Sequence, residues 1–357
     1  MPFFRRSPPE SKHAAPRALS AVGAAAPAWT PRADPVALIR ASYVTNAIAH
    51  RCVRLIAEGA AALPLRLEPA TEPGRRIEAH PLLDLLDAPN PAQDRQSLLE
   101  ALHGHLALTG NAYVEAVGGA APAELHVLRP DRMRVIPGPS GWAEGFEYRA
   151  GGRVVRFAQD EAAPPILHLR AFHPLDDHYG LSPLQAAAAP VDVHNAASRW
   201  NKALLDNAAR PCGAVVYDGP DAGTLTPEQR TDLRDQLEAL HQGAANAGRP
   251  MLLEGGLDWK PMGLSPSEME FMAGKDAAAR EIALAFGVPP LILGLPGDNT
   301  YANHAEAHRA FRRHGLHPVA RRVCAALSRW LGHRWGGVPV RLSIDEAALG
   351  DEADASA

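Results

Sequence analysis

Apolar positions near the start of the chain recur at helical spacing. Val36, Ile39, Tyr43, Ala47, Cys52, Val53 and Ile56 follow a repeat of about 3.6 residues. They predict a helix over 35–63, limited by Gly59 and Pro64. Residues 64–68 then alternate, as a half-buried strand does. His80 to Leu86 reads as a short helix, with Pro81 at the first position, where a missing N–H costs nothing. Pro89-Asn90-Pro91 stops it. Asp94 opens a longer helix to Thr109, with Leu98, Leu99, Leu102 and Leu106 on one face, and Gly110 suits its C-cap.

Beyond Gly110 the period falls to two. Asn111–Val117, Glu124–Leu128, Arg132–Ile136 and Ile166–Phe172 read as strands, and Phe146–Arg149 and Arg153–Phe157 flank a hairpin at Ala150-Gly151-Gly152. These make a small, mostly antiparallel sheet on the preceding helices, an α+β arrangement.

From residue 181 onward the helix starts are strongly marked. Ser182-Pro183-Leu184-Gln185, Thr226-Pro227-Glu228-Gln229 and Ser265-Pro266-Ser267-Glu268 each combine a hydroxyl cap, an N1 proline and a reciprocal Glu or Gln. The helix from Pro183 runs to Ala209, roughly 40 Å at 1.5 Å per residue, with a kink or break expected at Pro190. The other two run from Pro227 to Gln242 and from Pro266 to Phe286. Strands at Gly213–Tyr217, Met251–Glu254 and Leu257–Pro261 complete a small βαβ-like module between two long helices. A last helix spans Ala302 to Leu331, interrupted near Gly315 and Pro318, and Val338–Ile344 reads as a final strand.

Composition narrows the picture. The length of 357 residues suits roughly two domains of about 150 residues. With 46% apolar and 21% charged residues, wholesale disorder is excluded. A net charge of −4 excludes a globally basic nucleic-acid coat but not a local patch. The three cysteines, Cys52, Cys212 and Cys324, spell no disulfide framework or zinc site. No apolar run reaches the roughly 18 residues of a membrane span. Residues 1–34 read as a disordered tail, in which Ala14-Ala15-Pro16-Arg17-Ala18 interrupts any signal-peptide core. Residues 345–357 read as an acidic disordered tail.

Candidate chemistry is sparse. His304 and His308 stand four apart on a helix, a spacing that can share zinc. The glutamate that should follow the first histidine is replaced by Ala305, and no third ligand is evident. Gly180-Leu181-Ser182-Pro183-Leu184 begins like a nucleophile elbow but ends on leucine, and Ser182 already serves as a cap. Gly274-Lys275-Asp276 lacks the earlier glycine and the Ser/Thr of a phosphate loop. Asp176-Asp177-His178 reads as a polar loop. No catalytic residue, cofactor or metal is expected. Arg309, Arg312, Arg313, Arg321 and Arg322, with Arg329 and Arg334, form a basic concentration against Glu306 alone, fitted either to a neighbouring subunit or to phosphates.

In combination, several motifs give the chain a resemblance to the portal proteins of tailed phages of the long-tailed siphophage type, which gene transfer agents also use. They are His80-Pro81-Leu82-Leu83 with Pro89-Asn90-Pro91, Gly110-Asn111-Ala112-Tyr113, Tyr179-Gly180-Leu181-Ser182-Pro183-Leu184, Asn201 with Asn207 through Gly213, Phe286-Gly287-Val288-Pro289-Pro290 followed by Leu293-Gly294, Thr300-Tyr301-Ala302-Asn303 with Glu306 and Phe311, and Leu316-His317-Pro318. The resemblance spans about residues 35–340 and lies in the motifs' order and spacing. It implies a portal fold: an α/β wing at 35–180, a stem helix at 181–210, a small α/β clip at 211–264, a second stem helix at 265–288, a tunnel loop at 289–303 and a wing or crown-proximal helix with a final strand at 304–344. Little or no crown follows.

The resemblance further implies a homo-oligomeric ring of about twelve copies at one capsid vertex of a virion or phage-like particle, assembled in a bacterial cytoplasm. Double-stranded DNA would pass its channel with weak, sequence-independent contacts. Its partners would be the terminase motor, the major capsid protein and a head-completion or adaptor protein, with no membrane. Leu295, Pro296, Gly297, Asp298, Asn299, Thr300 and Tyr301 would line the channel. Two alternatives are a metal-dependent hydrolase built on His304 and His308, and a structural adaptor that is not a portal.

Overall fold

The computed structural model describes residues 35–159, 163–206, 213–217, 226–228, 231, 232, 235, 257–261, 271–296, 300–346 and 348. The tail expected at 1–34, most of the helix at 227–242, the strand at 251–254, the cap at Ser265 and the tail from 349 onward lie outside the described residues.

The helix expected over 35–63 is broken. α1 (Pro35–Ile39) runs into a π-helical turn at Arg40–Val44, and Thr45 and Asn46 interrupt it. The break has a local cause. Asn46 is extended, and its side-chain oxygen accepts the N–H groups of Ile48 and Ala49 at 3.1 and 3.0 Å, which restarts the chain as α2 (Ala47–Ala61). β1 (Leu65–Pro69) follows. α3 (Pro81–Asp87) is capped by His80, whose Nδ1 accepts the Leu82 N–H at 3.1 Å. α4 (Arg95–Thr109) is capped by Asp94 through the Ser97 N–H at 2.8 Å and ends on left-handed Gly110.

The expected single sheet is two antiparallel three-stranded sheets. β2 (Asn111–Val117) lies between β3 (Glu124–Leu128) and β7 (Ile166–Arg170). β5 (Ala143–Ala150) lies between β4 (Met133–Pro137) and β6 (Arg153–Ala158). A 3₁₀ turn at Pro130–Arg132 separates them, since Pro130 has no N–H with which to extend the first ladder. α5 (Pro183–Ala186) carries the expected capping box between Ser182 and Gln185. The helix breaks at Ala187, just before Pro190, and continues as α6 (Ala188–Asp206).

β8 (Gly213–Tyr217) and β9 (Leu257–Pro261) pair antiparallel, with Val215 opposite Trp259. Most of the helix and the strand at 251–254 that the expected βαβ-like module would need lie outside the described residues. α7 (Phe271–Phe286) follows, then α8 (Tyr301–Ala310) and α9 (His317–Leu331). No gap separates the last two. The interruption expected near Gly315 and Pro318 is a π-helical stretch, Phe311–Leu316, whose flanking residues keep helical backbone angles.

β10 (Val340–Ile344) returns to pair antiparallel with β1, Leu65 opposite Ile344. The acidic tail does not begin at 345. Asp345 is buried, its N–H reaches Pro64 O at 2.8 Å, and its carboxylate meets Arg76 at 3.1 Å. The two-stranded ladder closes over fully buried Glu68, which accepts Ser343 Oγ at 2.7 Å, the Gly74 N–H at 3.0 Å and Arg341 at 3.0 Å, beside Arg66 at 2.6 Å. Burial pushes this carboxyl up, but those hydrogen bonds and charges outweigh it and hold it down to about 2.

Two large apolar cores result, the first of them rich in leucine. One joins α3, α4, β1, β2 and α9 through Leu67, Leu82, Leu86, Leu98, Leu102, Leu327 and Leu331. The other joins α2, α5, α6, α7 and the π-helical stretch through Val53, Leu184, Val191, Ile282, Phe286, Phe311 and Leu316. Each such leucine contributes about 1.5–3 kcal/mol on burial.

Candidate functional site

The long helix α6 leaves the body at a crowded crossing. Gly110, after α4, and Gly180, before α5, lie backbone to backbone. A Cβ on Gly180 would stand 2.5 Å from Ala171 N and closer still to Gly110 O, and a Cβ on Gly110 would stand 2.5 Å from Gly180 O. Asn111 fastens the crossing. Its Oδ1 accepts the Gly180 N–H at 2.9 Å and His168 Nε2–H at 3.0 Å, and its Nδ2 donates to Thr109 O at 2.8 Å. His168 stacks on Tyr113 at 4.2 Å. Burial, with Arg170 and His178 adding to it, pushes the His168 imidazole down to about 3, so it stays neutral. Tyr179 accepts the Val135 N–H at 3.0 Å. The motifs at 110–113 and 179–184, far apart in sequence, are thus one contact. Asp176 turns that loop by accepting the N–H groups of His178 and Tyr179.

α6 and α7 lie side by side and antiparallel. Val191 and Ile282 share the core at one end, and Asn201 Nδ2 reaches Met272 Sδ at 3.4 Å at the other. The outward faces of this pair carry large apolar groups. Val193 is 53% exposed, Met272 59% and Leu284 79%, and Trp200 is also exposed. Charges between them are mixed, with Asp192, Arg199, Arg280 and Glu281 all exposed.

The segment after α7 is more ordered than a free loop. Left-handed Gly287 donates to Leu284 O at 3.0 Å and buried Val288 to Ala283 O at 2.9 Å, the paired bonds of a Schellman end. Pro290–Leu293 forms a 3₁₀ turn, with Ile292 and Leu293 packed on the core and left-handed Gly294 closing it. Arg280 then donates to Pro296 O at 2.7 Å, tying the segment back to α7. Of the expected channel residues, Leu295 is half-buried and Pro296 exposed, while Gly297, Asp298 and Asn299 lie outside the described residues. Thr300 caps α8 by accepting the Asn303 N–H at 3.3 Å, so Tyr301 opens a helix. Pro290–Leu293 and residues 301–303, near the two ends of the expected 289–303 loop, are thus helical turns.

The arginines of α8, the π-helical stretch and α9 divide. Arg309 pairs with Glu306 at 2.6 Å. Arg334 is structural: it donates to Pro164 O at 2.6 Å and lies over Trp330 at 5.0 Å. Arg312, Arg313, Arg321 and Arg322 are exposed, as is Arg329, and among the described residues no carboxylate pairs with them. From Arg309 to Arg329 the row is roughly 30 Å long at 1.5 Å per residue. His304 is half-buried and His308 exposed. Among the described residues, no group of three His, Cys, Asp or Glu side chains is placed to hold a metal ion.

The sequence reading missed a buried polar joint. Asn46 is 2% exposed, and its Nδ2 donates both to His194 Nδ1 at 3.1 Å and to Asn195 Oδ1 at 2.9 Å on α6. Asn195 Nδ2 donates in turn to Ala41 O at 2.6 Å. The only local signal was an asparagine before a helical run.

A ladder-and-helix body thus launches an antiparallel pair of long helices, joined by a tethered segment to a basic helix. The chain belongs to the phage portal protein family, whose pattern matches residues 47–357. It is 38% identical to a Rickettsia bellii protein over 82% of this chain and 76% of that one. It is 30% identical to the probable portal protein of Streptomyces phage phiC31, over 78% of this chain and 62% of that one. Among solved structures, it resembles the neck of a native gene transfer agent particle determined with C12 symmetry, at 54% identity and a TM-score of 0.70, covering 94% of this chain and 91% of that one.

Proposed function

We propose that this chain is the portal subunit of a phage or phage-derived particle and that it performs no chemistry of its own. About twelve copies would close into a ring at one capsid vertex, giving the channel through which a terminase motor packs duplex DNA and through which DNA later leaves. The observation that carries this reading is the outward apolar face of α6 and α7, in a chain 54% identical to the neck of a particle with C12 symmetry. Such a face needs covering, and a closed ring of heterologous contacts covers it in every copy.

In this reading residues 35–180 form the wing, 181–210 and 265–288 the stem, 211–264 the clip that meets the motor or adaptor, and 304–344 the return to the wing beside the capsid protein. Residues 295–300, with Leu295, Pro296, Gly297, Asp298, Asn299 and Thr300, reach into the bore as the tunnel loop. Few cations there suits the task. A conduit has to touch DNA without holding it, and each phosphate neutralised by Lys or Arg would tighten a sequence-blind grip. The exposed row Arg312, Arg313, Arg321 and Arg322 meets acidic surface on a neighbouring subunit. Shortening 295–300 tests the loop: rings should still form while packaged DNA falls. Normal packaging by that variant would remove the loop assignment.

A further inference from the structure

The joint between Asn46 and α6 has its proton positions dictated by geometry. Asn46 Oδ1 accepts two backbone N–H groups, those of Ile48 and Ala49. That fixes the amide's orientation, so the atom facing α6 is Nδ2, which only donates. Its two hydrogens go to two acceptors, Asn195 Oδ1 and His194 Nδ1. Asn195 is fixed in the same way, because its own Nδ2 donates to Ala41 O. Every hydrogen-bonding position of the Asn46 amide is therefore used. His194 Nδ1 has to be bare, with the ring proton on Nε2.

We propose that His194 is an acid-sensitive latch: neutral, it fastens the root of α6 to the cap of α2; protonated, it lets go. A proton on Nδ1 would set a donor against a donor. Asn46 cannot turn its oxygen round without uncapping α2, so the imidazole has to swing away and leave a buried N–H unpaired. The surroundings oppose protonation on balance. Burial of the ring acts first, and Lys275 on α7 acts in the same direction, while Asp276 on α7 acts against them. The cap of α2 meets the ring with the neutral Asn46 amide, and the ionisable groups of that start and of the turn before it are Arg40, Tyr43 and His50. The latch sits just beyond the break at Ala187, where a small change of angle would be carried along α6. The inference concerns this joint and holds whatever passes beside the helix.

The test is the full-length chain, with imidazole C2–H exchange read by mass spectrometry as a titration of His194, alongside amide exchange over 188–200. His194 should take up its proton at lower pH than in an unfolded peptide of the same sequence, and amide protection in 188–200 should fall as it does. Asn46→Asp supplies the decisive comparison, because aspartate still caps α2 but offers His194 an acceptor, giving up the bond to Asn195 Oδ1 at every pH. In that variant the His194 midpoint should rise, at least tenfold in proton affinity, and acid should no longer loosen 188–200. His194→Gln, which can present a carbonyl oxygen to Asn46, should hold the joint at every pH and serves if Asn46→Asp folds poorly. A His194 midpoint equal to that of the unfolded peptide, one unmoved by Asn46→Asp, or a pH-dependent loosening that persists in His194→Gln would each overturn the latch.

Discussion

The body of this protein and the helix pair that leaves it satisfy their surfaces in opposite ways. In the body, most buried polar groups are matched inside the chain: Glu68 has four partners, three on β1 and β10 and one at Gly74, and Asn111 holds two loops at once, while among the described residues His103 Nδ1 and Tyr113 OH are left over. On α6 and α7 the outward positions carry Val193, Trp200, Met272 and Leu284, and Arg312, Arg313, Arg321, Arg322 and Arg329 have no carboxylate beside them among the described residues. The body's surface is not free of apolar groups either, since Phe172 is 81% and Leu175 72% exposed. In the proposed ring the helix pair and the basic row are the surfaces that neighbouring copies cover. Mutations should therefore divide, those in the body acting on folding and those on the helix pair acting on assembly.

The largest effect expected is acid destabilisation of the body. His103 and His105 are held down to about 4 and His168 to about 3, in each case chiefly by burial. The unfolded chain binds these protons first, near its ordinary value of about 6.5. Their contribution is whole above that pH and is lost as pH falls from about 6.5 toward about 4. Glu68 adds a lower stage, present above about 4.5 and lost toward about 2. Denaturant melts across this range should show both stages, and Glu68→Gln should flatten the lower one. A stability flat from pH 7 to 4 would contradict the buried, neutral histidines.

Gly180→Ala comes next. Its new methyl would press on the backbone of Ala171 and Gly110, atoms that cannot step aside, so about 3 kcal/mol or more should be lost in chemical denaturation, the upper end of overpacking costs. A loss below about 1 kcal/mol would show that the crossing relaxes. Leu284→Ala, at a side chain 79% exposed, should do the reverse, leaving subunit stability within about 0.5 kcal/mol while ring yield in sedimentation falls. The smallest effect on folding is expected from Arg312→Glu with Arg313→Glu: no measurable change in melting, but weaker, salt-sensitive assembly. Rings that form normally in that double variant would show that the basic row faces something other than the neighbouring subunit.

What was legible in the sequence follows from how far each determinant reaches. Local determinants gave element positions to within a residue or two, as at the Asp94 and Ser182 caps, the Gly110 end of α4, and β2, β3, β8 and β9. Pairing was not local. The separation into two sheets, the antiparallel β8–β9 pair and the return of β10 to β1 depend on partners as far apart as Leu65 and Ile344. Periodicity also carried the first helix straight through Asn46, because a cap before a second helix and a polar residue within one helix look alike until α6 supplies the other half of the joint. The family motifs were readable as words before their contacts were known. Gly110 and Gly180 acquire their reason only when they touch.

The central claim is that copies of this chain close around an axial opening wide enough for duplex DNA. Electron microscopy of the assembled full-length chain, viewed along the symmetry axis, tests it most directly. The account predicts closed rings of about twelve subunits with a central hole bordered by α6, α7 and the 295–300 segment. Monomers or dimers under assembly conditions, or rings with no opening on the axis, would contradict it.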